Sequence, residues 1–201
     1  MRTLNSHNSS SEAKRAVIIG AALECFVEMG FTQATMEKIR ERACVSNGSL
    51  YHHFGSKEEL AAAAYIEGVK SYQKRLGGAV SSKVPAESGV KALVRRHLNW
   101  VHENKAWAVF LFRTRRAEFM KAAERNLSEE NARFFKPLSE WFVERKEAGE
   151  IRDLSFPLYM ALILGPCQEY SRLWLAGAVN GNMSRAAAEI GEGVWRSVKA
   201  D

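Results

Sequence analysis

Long apolar runs and closely spaced cysteines are both missing from this chain. The longest apolar stretch, residues 156–167, is too short to span a bilayer and contains Pro166, so it predicts a buried core helix. The polar first eleven residues lack the apolar segment of a signal peptide. Three cysteines, odd in number and without metal-ligand spacing, favour a protein of the reducing cytoplasm.

Signatures of catalysis are missing as well. The sequence contains no phosphate-binding glycine loop, no nucleophile elbow and no His-Glu-x-x-His pair. We therefore do not expect an enzyme, and we predict no catalytic residue, no cofactor and no metal ligand. A composition of 46% hydrophobic and 26% charged residues is that of an ordinary soluble globular protein, for which no membrane partner is expected.

The net charge of +6 is unevenly distributed along the chain. Residues 1–60 hold seven basic and seven acidic side chains, whereas residues 61–136 hold fifteen basic and seven acidic ones. A protein that binds nucleic acid through phosphates alone needs a basic binding surface. The neutral first sixty residues argue against such a non-specific binder, so a DNA-binding function has to be argued from the pattern of side chains.

Apolar residues recur at helical spacing throughout, without a convincing strand pattern or an internal repeat. The predicted fold class is therefore all-α, with about nine helices. The first helix is expected over residues 11–29, with Gly30 as its terminator. A sixth helix is expected over residues 106–125, and Ser128 is placed to cap a seventh. A polar loop that ends at Pro85 marks the predicted domain boundary.

Residues 35–60, TMEKIRERACVSNGSLYHHFGSKEEL, are the most informative stretch of the chain. A short helix at 35–43, a turn at 44–46 and a second short helix at 47–54 follow one another. Two short helices joined by a three-residue turn are the plan of a helix-turn-helix, whose second helix enters the major groove of DNA. This stretch therefore predicts a regulator of transcription.

The two faces of the second helix support this interpretation. Leu50 and Phe54 share one face and can pack on neighbouring helices, while Gly48, Ser49 and His52 lie on the opposite face. A glycine inside a helix costs about 1 kcal/mol relative to alanine, which makes sense where a DNA strand must approach closely. The simpler alternative is a small helical hairpin with polar surface residues.

With these residues in place, the segment resembles the amino-terminal signature of TetR-family transcriptional regulators. The resemblance covers residues 12–72 and rests on matches in a fixed register. These are Gly30, Phe31, Thr35, Ile39, Ala43, Val45, Ser46, Gly48, Leu50, Tyr51, His53, Phe54, Ser56, Lys57, Glu58 and Leu60. Two of the departures are Arg40, where the family usually has a small residue, and Cys44, which replaces a common glycine.

The resemblance implies an amino-terminal three-helix DNA-binding domain and a carboxy-terminal helical domain for ligand binding and dimerisation. We divide the chain into a disordered arm (1–11), a helix-turn-helix domain (12–56), a connecting helix (57–76) and a ligand-binding and dimerisation domain (77–201). A homodimer would bind a palindromic operator in double-stranded DNA, most commonly as a repressor released by a small-molecule effector. The alternative is a helical ligand-binding or protein-interaction module without specific DNA reading.

The predicted DNA contacts differ in what they recognise. The residues predicted to contact phosphate are Thr35, Tyr51 and Lys57. The residues predicted to reach base edges are Asn47, Ser49 and His52. Gly48 permits close approach of the DNA, and Ser46 caps the second helix and contacts the DNA backbone.

Many large apolar side chains follow in the rest of the chain, and most aromatic residues at helical spacing are core. The residues predicted to line an effector pocket are Trp100, Trp107, Phe110, Arg113, Trp141, Tyr170 and Trp174. Arg113 begins a run with Arg115 and Arg116. These arginines form either a solvated face, an ion pair with Glu118 or Glu169, or a site for a carboxylate ligand.

The last helix carries a narrow stripe of small and apolar residues, which predicts close packing against another helix. The resemblance favours a two-fold dimer interface there, and the alternative is the core of the same chain. The predicted interface residues are Leu164, Ala187, Ile190, Gly191, Val194 and Val198.

Overall fold

The computed structural model describes residues 3–114 and 120–200, and these form α-helices joined by short loops. The helices are α1 (Thr3–Gln33), α2 (Met36–Ala43), α3 (Asn47–His53), α4 (Lys57–Gly77), α5 (Ala86–Glu103), α6 (Lys105–Thr114), α7 (Met120–Glu147), α8 (Phe156–Leu175) and α9 (Met183–Val198). Extended pairing in the described residues is limited to an isolated bridge between Ile151 and Lys199. The predicted all-α fold is confirmed.

The chain folds into two compact units. Met1–Val69 and Ala106–Leu127 form what we call the amino-terminal unit, and Lys70–Lys105 and Ser128–Asp201 form the carboxy-terminal unit. The division falls within α4 rather than at the polar loop before Pro85. As a consequence, α6 belongs to the same unit as the helix-turn-helix.

The core of the amino-terminal unit contains side chains of α1, α2, α3, α4 and α6. Phe26 of α1 is buried, and its ring stacks on Phe110 of α6 with centroids 5.6 Å apart. Other large members of this core are Ile18, Ile19, Leu23, Ile39, Leu50, Phe54 and Leu60. The apolar spacing of the first sixty residues thus builds one continuous core, as the helical pattern predicted.

By length and hydropathy alone, Ser10–Gln33 of α1 could cross a membrane, the one such segment in the part of the chain that the structure describes. Its apolar side chains are instead used for packing, since Ile18 and Phe26 are buried in the core. Its opposite face carries Glu28, which pairs with Arg42 of α2 at 2.6 Å. An apolar helix with one charged, ion-paired face is typical of a globular core.

The start of α1 differs from the prediction, and its other end has a kink at the predicted terminator. The helix already begins at Thr3, so residues 3–11, predicted to be disordered, are helical. Residues 3–19 contain no proline or glycine to stop a helix, and each serine or asparagine costs only a few tenths of a kcal/mol there. At the other end Gly30 adopts φ 79°, and this left-handed residue kinks the chain where the sequence predicted termination.

The position of Ser128 also differs from the prediction. α6 is described as far as Thr114 and α7 from Met120 onward, and Ser128 lies inside α7 rather than at its start. A serine followed by glutamates resembles a helix cap, but no glycine or proline precedes Ser128 to end the helix there.

In the carboxy-terminal unit, α5 packs against α8 and α9. The stripe on α9 that was predicted as a dimer interface faces this core. Its buried members are Ala187, Gly191, Val194 and Val198. A Cβ at Gly191 would lie 3.6 Å from Lys91 of α5, so the small residues serve close packing inside one chain. Ile190 and Leu164 are only partly buried. Helical spacing alone cannot tell an intrachain partner from an interchain one.

A buried polar cluster lies within the apolar core of the carboxy-terminal unit. The Tyr72 hydroxyl lies 2.7 Å from His97 Nδ1, and Ser171 Oγ lies 3.4 Å from His97 Nε2. Beside this cluster, the Trp100 indole N–H donates at 3.1 Å to Ser71 Oγ, on an exposed residue. Burial disfavours the charged imidazolium and lowers the pKa of His97 to about 4.

We expect the protein to lose stability on mild acidification because of His97. Its folded pKa of about 4 lies below the ordinary 6.5, so between these values the unfolded chain binds more protons. The free energy of unfolding therefore falls as the pH drops through this window, by about 2 kcal/mol at pH 5. Urea unfolding at pH 7 and pH 5 measures the loss, which should shrink in His97→Gln. An equal pH dependence in both proteins would rule out His97 as the cause.

Candidate nucleic-acid interface

The helix-turn-helix is formed by α2, the turn of residues 44–46 and α3, and each helix has a side-chain cap, of which the sequence predicted the one at Ser46. Thr35 precedes α2, and its hydroxyl oxygen accepts the Lys38 N–H at 3.3 Å. Ser46 precedes α3, and its hydroxyl oxygen accepts the Ser49 N–H at 3.2 Å. Both hydroxyls lie on exposed residues and keep a hydrogen to donate.

The turn between α2 and α3 places Cys44 in the left-handed conformation, at φ 52° and ψ 42°. Among the described residues it is the one non-glycine with positive φ. Side chains other than glycine pay roughly 1–2 kcal/mol for this conformation. The turn thus keeps the geometry that glycine favours, and Cys44 adopts it at a cost in stability.

Arg40, the other departure from the family pattern, is engaged on the surface of α2. Its guanidinium pairs with Glu37 and, at 3.6 Å, with Glu41. The hydrogen bond from Arg40 lowers the pKa of the Glu37 carboxyl. These pairs neutralise Arg40 locally and leave it in a poor position to add charge to a DNA-binding surface.

The two faces of α3 are separated as the wheel predicted. Leu50 is fully buried and Phe54, which follows the helix, is 2% exposed. The side chain of Tyr51 is 55% exposed, and Asn47 and His52 are exposed as well. Polar side chains thus point to solvent from a helix whose apolar side is held in the core.

The outward face of α3 forms a concave surface together with the start of α1. This concavity of about 440 Å³ is lined by Ser10, Ser11, Lys14, Gly48, Ser49, His52 and His53. Three predicted DNA-binding residues, Gly48, Ser49 and His52, therefore lie together. Burial, with a smaller effect of His52, lowers the pKa of His53 and favours its neutral form.

The α1 residues of this concavity were missed by the sequence analysis. Lys14 brings a cation to a face of the domain that is otherwise polar and uncharged. The only signal for it is a basic residue within the first helix, and its side-chain direction depends on how α1 crosses α3. Lys14 extends the candidate interface beyond the helix-turn-helix itself.

Lys57, predicted to contact phosphate, makes hydrogen bonds within the protein. Its ammonium donates to the carbonyl oxygens of Phe31 at 2.8 Å and Ala34 at 2.9 Å. It also lies 4.4 Å from the centroid of the Phe31 ring. Carbonyls at the end of a helix lack partners and carry partial negative charge. Lys57 satisfies them and ties the start of α4 to the end of α1, so its donors point into the protein.

The residues predicted to line an effector pocket are divided between the two units. Three of them belong to the amino-terminal unit. Phe110 stacks on Phe26, Arg113 donates to the Val27 carbonyl at 2.9 Å, and Trp107 packs over Gly68. These three side chains attach α6 to α1 and α4.

The other four predicted pocket residues are distributed over the carboxy-terminal unit. Trp100 bonds to Ser71, and Trp141 donates to the Val84 carbonyl at 3.2 Å. Tyr170 lies against Gly181, and Trp174 lies against His102 and Lys105. In the described residues these aromatic side chains make packing contacts within their units, as aromatic residues at helical spacing usually do. Glu169 pairs with Arg172 rather than with Arg113, and Arg115, Arg116 and Glu118 lie outside the described residues.

Comparisons with known proteins agree with this geometry. Residues 18–64 match the family model described as bacterial regulatory proteins, tetR family. Over 159 residues the chain is 23% identical to the fatty acid metabolism regulator protein of Bacillus subtilis (strain 168). The aligned region covers 79% of this chain and 81% of that protein.

Two solved structures show the same fold. A TetR family transcription regulator from Marinobacter aquaeolei VT8 has a TM-score of 0.82 at 17% identity and covers 96% of this chain and 100% of its own. The transcriptional regulator FadR from Bacillus subtilis, in complex with stearoyl-CoA, has a TM-score of 0.75 at 20% identity. That match covers 89% of this chain and 96% of the FadR chain.

We expect Lys57→Met to destabilise the protein, because it leaves the Phe31 and Ala34 carbonyls without their charged donor. The expected loss is about 1–3 kcal/mol in the free energy of unfolding, measured by urea titration. Lys38→Met is the matched control, since the exposed Lys38 ammonium has one backbone carbonyl nearby, that of Gln33 at 3.4 Å. Unchanged unfolding of Lys57→Met, together with a lower salt dependence of DNA binding, would instead indicate a phosphate contact.

Proposed function

Because the chain belongs to the TetR family of bacterial regulatory proteins, we propose that it is a ligand-released repressor that binds a palindromic operator as a homodimer. The observation that carries the DNA-binding part is the solvent-facing side of α3. Asn47, Tyr51 and His52 are exposed there on a helix that Leu50 anchors in the core. This is the arrangement that places a recognition helix in the major groove.

The exposed side chains divide by the part of DNA that they can recognise. Asn47, Ser49 and His52 supply donors and acceptors for base edges, with Asn suited to adenine. Thr35 and Tyr51 supply hydroxyl groups for phosphate oxygens, which fix register without reading sequence. Lys14, at the edge of the same concave surface, adds a cation for the DNA backbone. Lys57 is left out of this set because its ammonium is bound inside the protein.

The low charge of the interface favours specific over non-specific binding. The first sixty residues have no net charge, and Arg40 and Arg42 are paired with carboxylates of α1 and α2. Binding driven by counterion release alone would therefore be weak. Affinity has to come from shape and hydrogen bonds at the base edges, which favours a defined operator sequence.

Dimerisation is proposed through outward parts of α8 and α9 rather than through the buried stripe of α9. Leu158 of α8 is 44% exposed, and Leu164 and Ile190 remain partly accessible. Two recognition helices related by two-fold symmetry bind half-sites about 34 Å apart. A cytoplasmic homodimer and a roughly palindromic operator are therefore expected together.

Release by a small molecule is proposed to act through α6. Phe110 and Arg113 of α6 contact Phe26 and Val27 of α1, inside the unit that carries α3. An effector that shifts α6 against α4 would disturb the packing of the reading helix. Such coupling is typically worth about 1–3 kcal/mol. The B. subtilis FadR structure contains stearoyl-CoA, and we propose an effector of the same class, an acyl chain with an anionic head.

Selection of bound DNA from a random pool, with the purified full chain at physiological salt, tests the proposed function. We expect enrichment of a roughly palindromic site with half-sites about 10 base pairs apart. Tyr51→Ala and His52→Ala should abolish the enrichment, while Lys136→Ala, an exposed change on α7, should preserve it. A folded protein that enriches no sequence would contradict specific DNA reading.

Gly48→Ala separates the needs of the fold from those of DNA binding. No protein atom lies within 4 Å of a Cβ built at Gly48, so the fold itself does not require glycine there. Alanine should raise the free energy of unfolding by up to about 1 kcal/mol, because it is the better helix former. Affinity for the selected operator should fall, because the added methyl group meets the approaching DNA. Operator affinity at or above that of the wild type would show that no DNA strand comes close to Gly48.

A further inference from the structure

A groove in the carboxy-terminal unit is used by none of the interactions described so far. It lies between the last turns of α4, the loop that follows α4, and α7, and has a volume of about 410 Å³. Sites for small ligands typically measure about 300–1,000 Å³. Its lining residues are Lys70, Gln73, Lys74, Leu76, Gly77, Val80, Glu130, Arg133, Phe134, Pro137 and Leu138.

The floor of the groove is apolar and firmly held. Leu76 and Leu138 are buried, and their neighbours Val80 and Phe134 are partly buried. Gln73 donates to the Asn131 side-chain oxygen at 2.6 Å, which ties α4 to α7 beside the groove. An apolar surface of this kind gains from contact with an aliphatic or aromatic body.

The rim of the groove is predominantly cationic. Lys70, Lys74 and Arg133 carry positive charge, against one carboxylate, Glu130. Lys70 lies 3.4 Å from Glu130, and both side chains are well exposed. Arg133 lies 3.7 Å from Glu129 on an even more exposed surface. Exposed pairs of this kind contribute at most about 1 kcal/mol, so these cations can turn to an anionic ligand at little cost.

We propose that this groove binds an amphipathic anion, with an acyl chain on the apolar floor and a carboxylate or phosphate head at Lys74 and Arg133. The assignment rests on the proposed function, because it names the site and the chemistry of the expected effector. Free fatty acids and their coenzyme A thioesters share this chemistry. The two differ in the number of negative charges that they bring to the cationic rim.

Gly77 offers a way to close the groove without removing any contact. It lines the groove and ends α4, and a Cβ built on it has no other side chain or distant backbone atom within 4 Å. Gly77→Phe should therefore place a ring in the groove while the fold stays intact, and Gly77→Ala is the matched control. For the rim, Lys74→Glu and Arg133→Glu reverse exposed charges inside the groove. Lys136→Glu reverses an equally exposed charge on α7 outside it.

The test is calorimetric titration of the full chain with palmitoyl-CoA, palmitate and coenzyme A, after circular dichroism confirms that each variant is folded. Wild type, Gly77→Ala and Lys136→Glu should bind palmitoyl-CoA alike. Gly77→Phe, Lys74→Glu and Arg133→Glu should weaken binding about tenfold or more. Tighter binding of palmitoyl-CoA than of palmitate would identify the thioester as the ligand, and the reverse order would identify the free acid.

The assignment is overturned if wild type binds neither acyl ligand, if the groove variants bind as wild type does, or if coenzyme A alone binds as tightly as palmitoyl-CoA. Operator binding is measured separately by fluorescence polarisation. If palmitoyl-CoA bound in the groove without changing operator affinity, the proposed ligand release would be wrong and the groove assignment would stand. If palmitoyl-CoA released the operator equally from wild type and Gly77→Phe, ligand release would stand and the groove assignment would be wrong.

Discussion

The seven residues of α3 are too few to form a stable helix on their own in water, where isolated helices shorter than about 12 residues are marginal. The reading helix therefore depends on contacts made elsewhere. Leu50 and Phe54 bury its inner side, Ser46 caps its first turn, and Arg15 of α1 lies over the Phe54 ring. Everything that α3 presents to DNA is only as well placed as these anchors and the core of the amino-terminal unit that receives them.

This dependence explains why α6 matters to the reading helix although it is distant from it in sequence. The Phe26 ring of α1 stacks on Phe110 of α6, in the core that also holds Leu50. Cores are packed as densely as organic crystals, so a displacement at one wall is passed to the others. The proposed shift of α6 on ligand binding would therefore reach α3 through side-chain packing inside one unit.

The helix-turn-helix could be predicted from the sequence because its signals are local. The caps Thr35 and Ser46 and the inward Leu50 all lie within a few residues of the helices they define. Lys57 could not be assigned in this way, since the carbonyls it binds belong to residues 23 and 26 positions earlier. Its position in a helix-turn-helix segment favoured DNA, whereas tertiary contacts turned its ammonium inward.

The sequence left two other surfaces ambiguous for a related reason. The stripe on α9 shows that a helix needs a partner, but the spacing is the same whether α5 of the same chain or a second chain supplies it. The aromatic residues predicted to line a pocket were equally ambiguous, because packing and ligand binding favour the same side chains. The groove between α4 and α7 brings together Lys74 and Arg133, which are far apart in sequence, and neither segment alone resembles a site.

The division of α3 into an inner and an outer face has a consequence for how such a protein diversifies. Asn47, Tyr51 and His52 contribute little to the core, so replacing them changes what is recognised while the anchors stay intact. Surface substitutions away from the core usually change stability by less than about 0.5 kcal/mol, so changes in specificity need not be compensated by changes in the core. A few surface substitutions can therefore give the domain new target sites, provided that Leu50 and Phe54 of the inner face are kept.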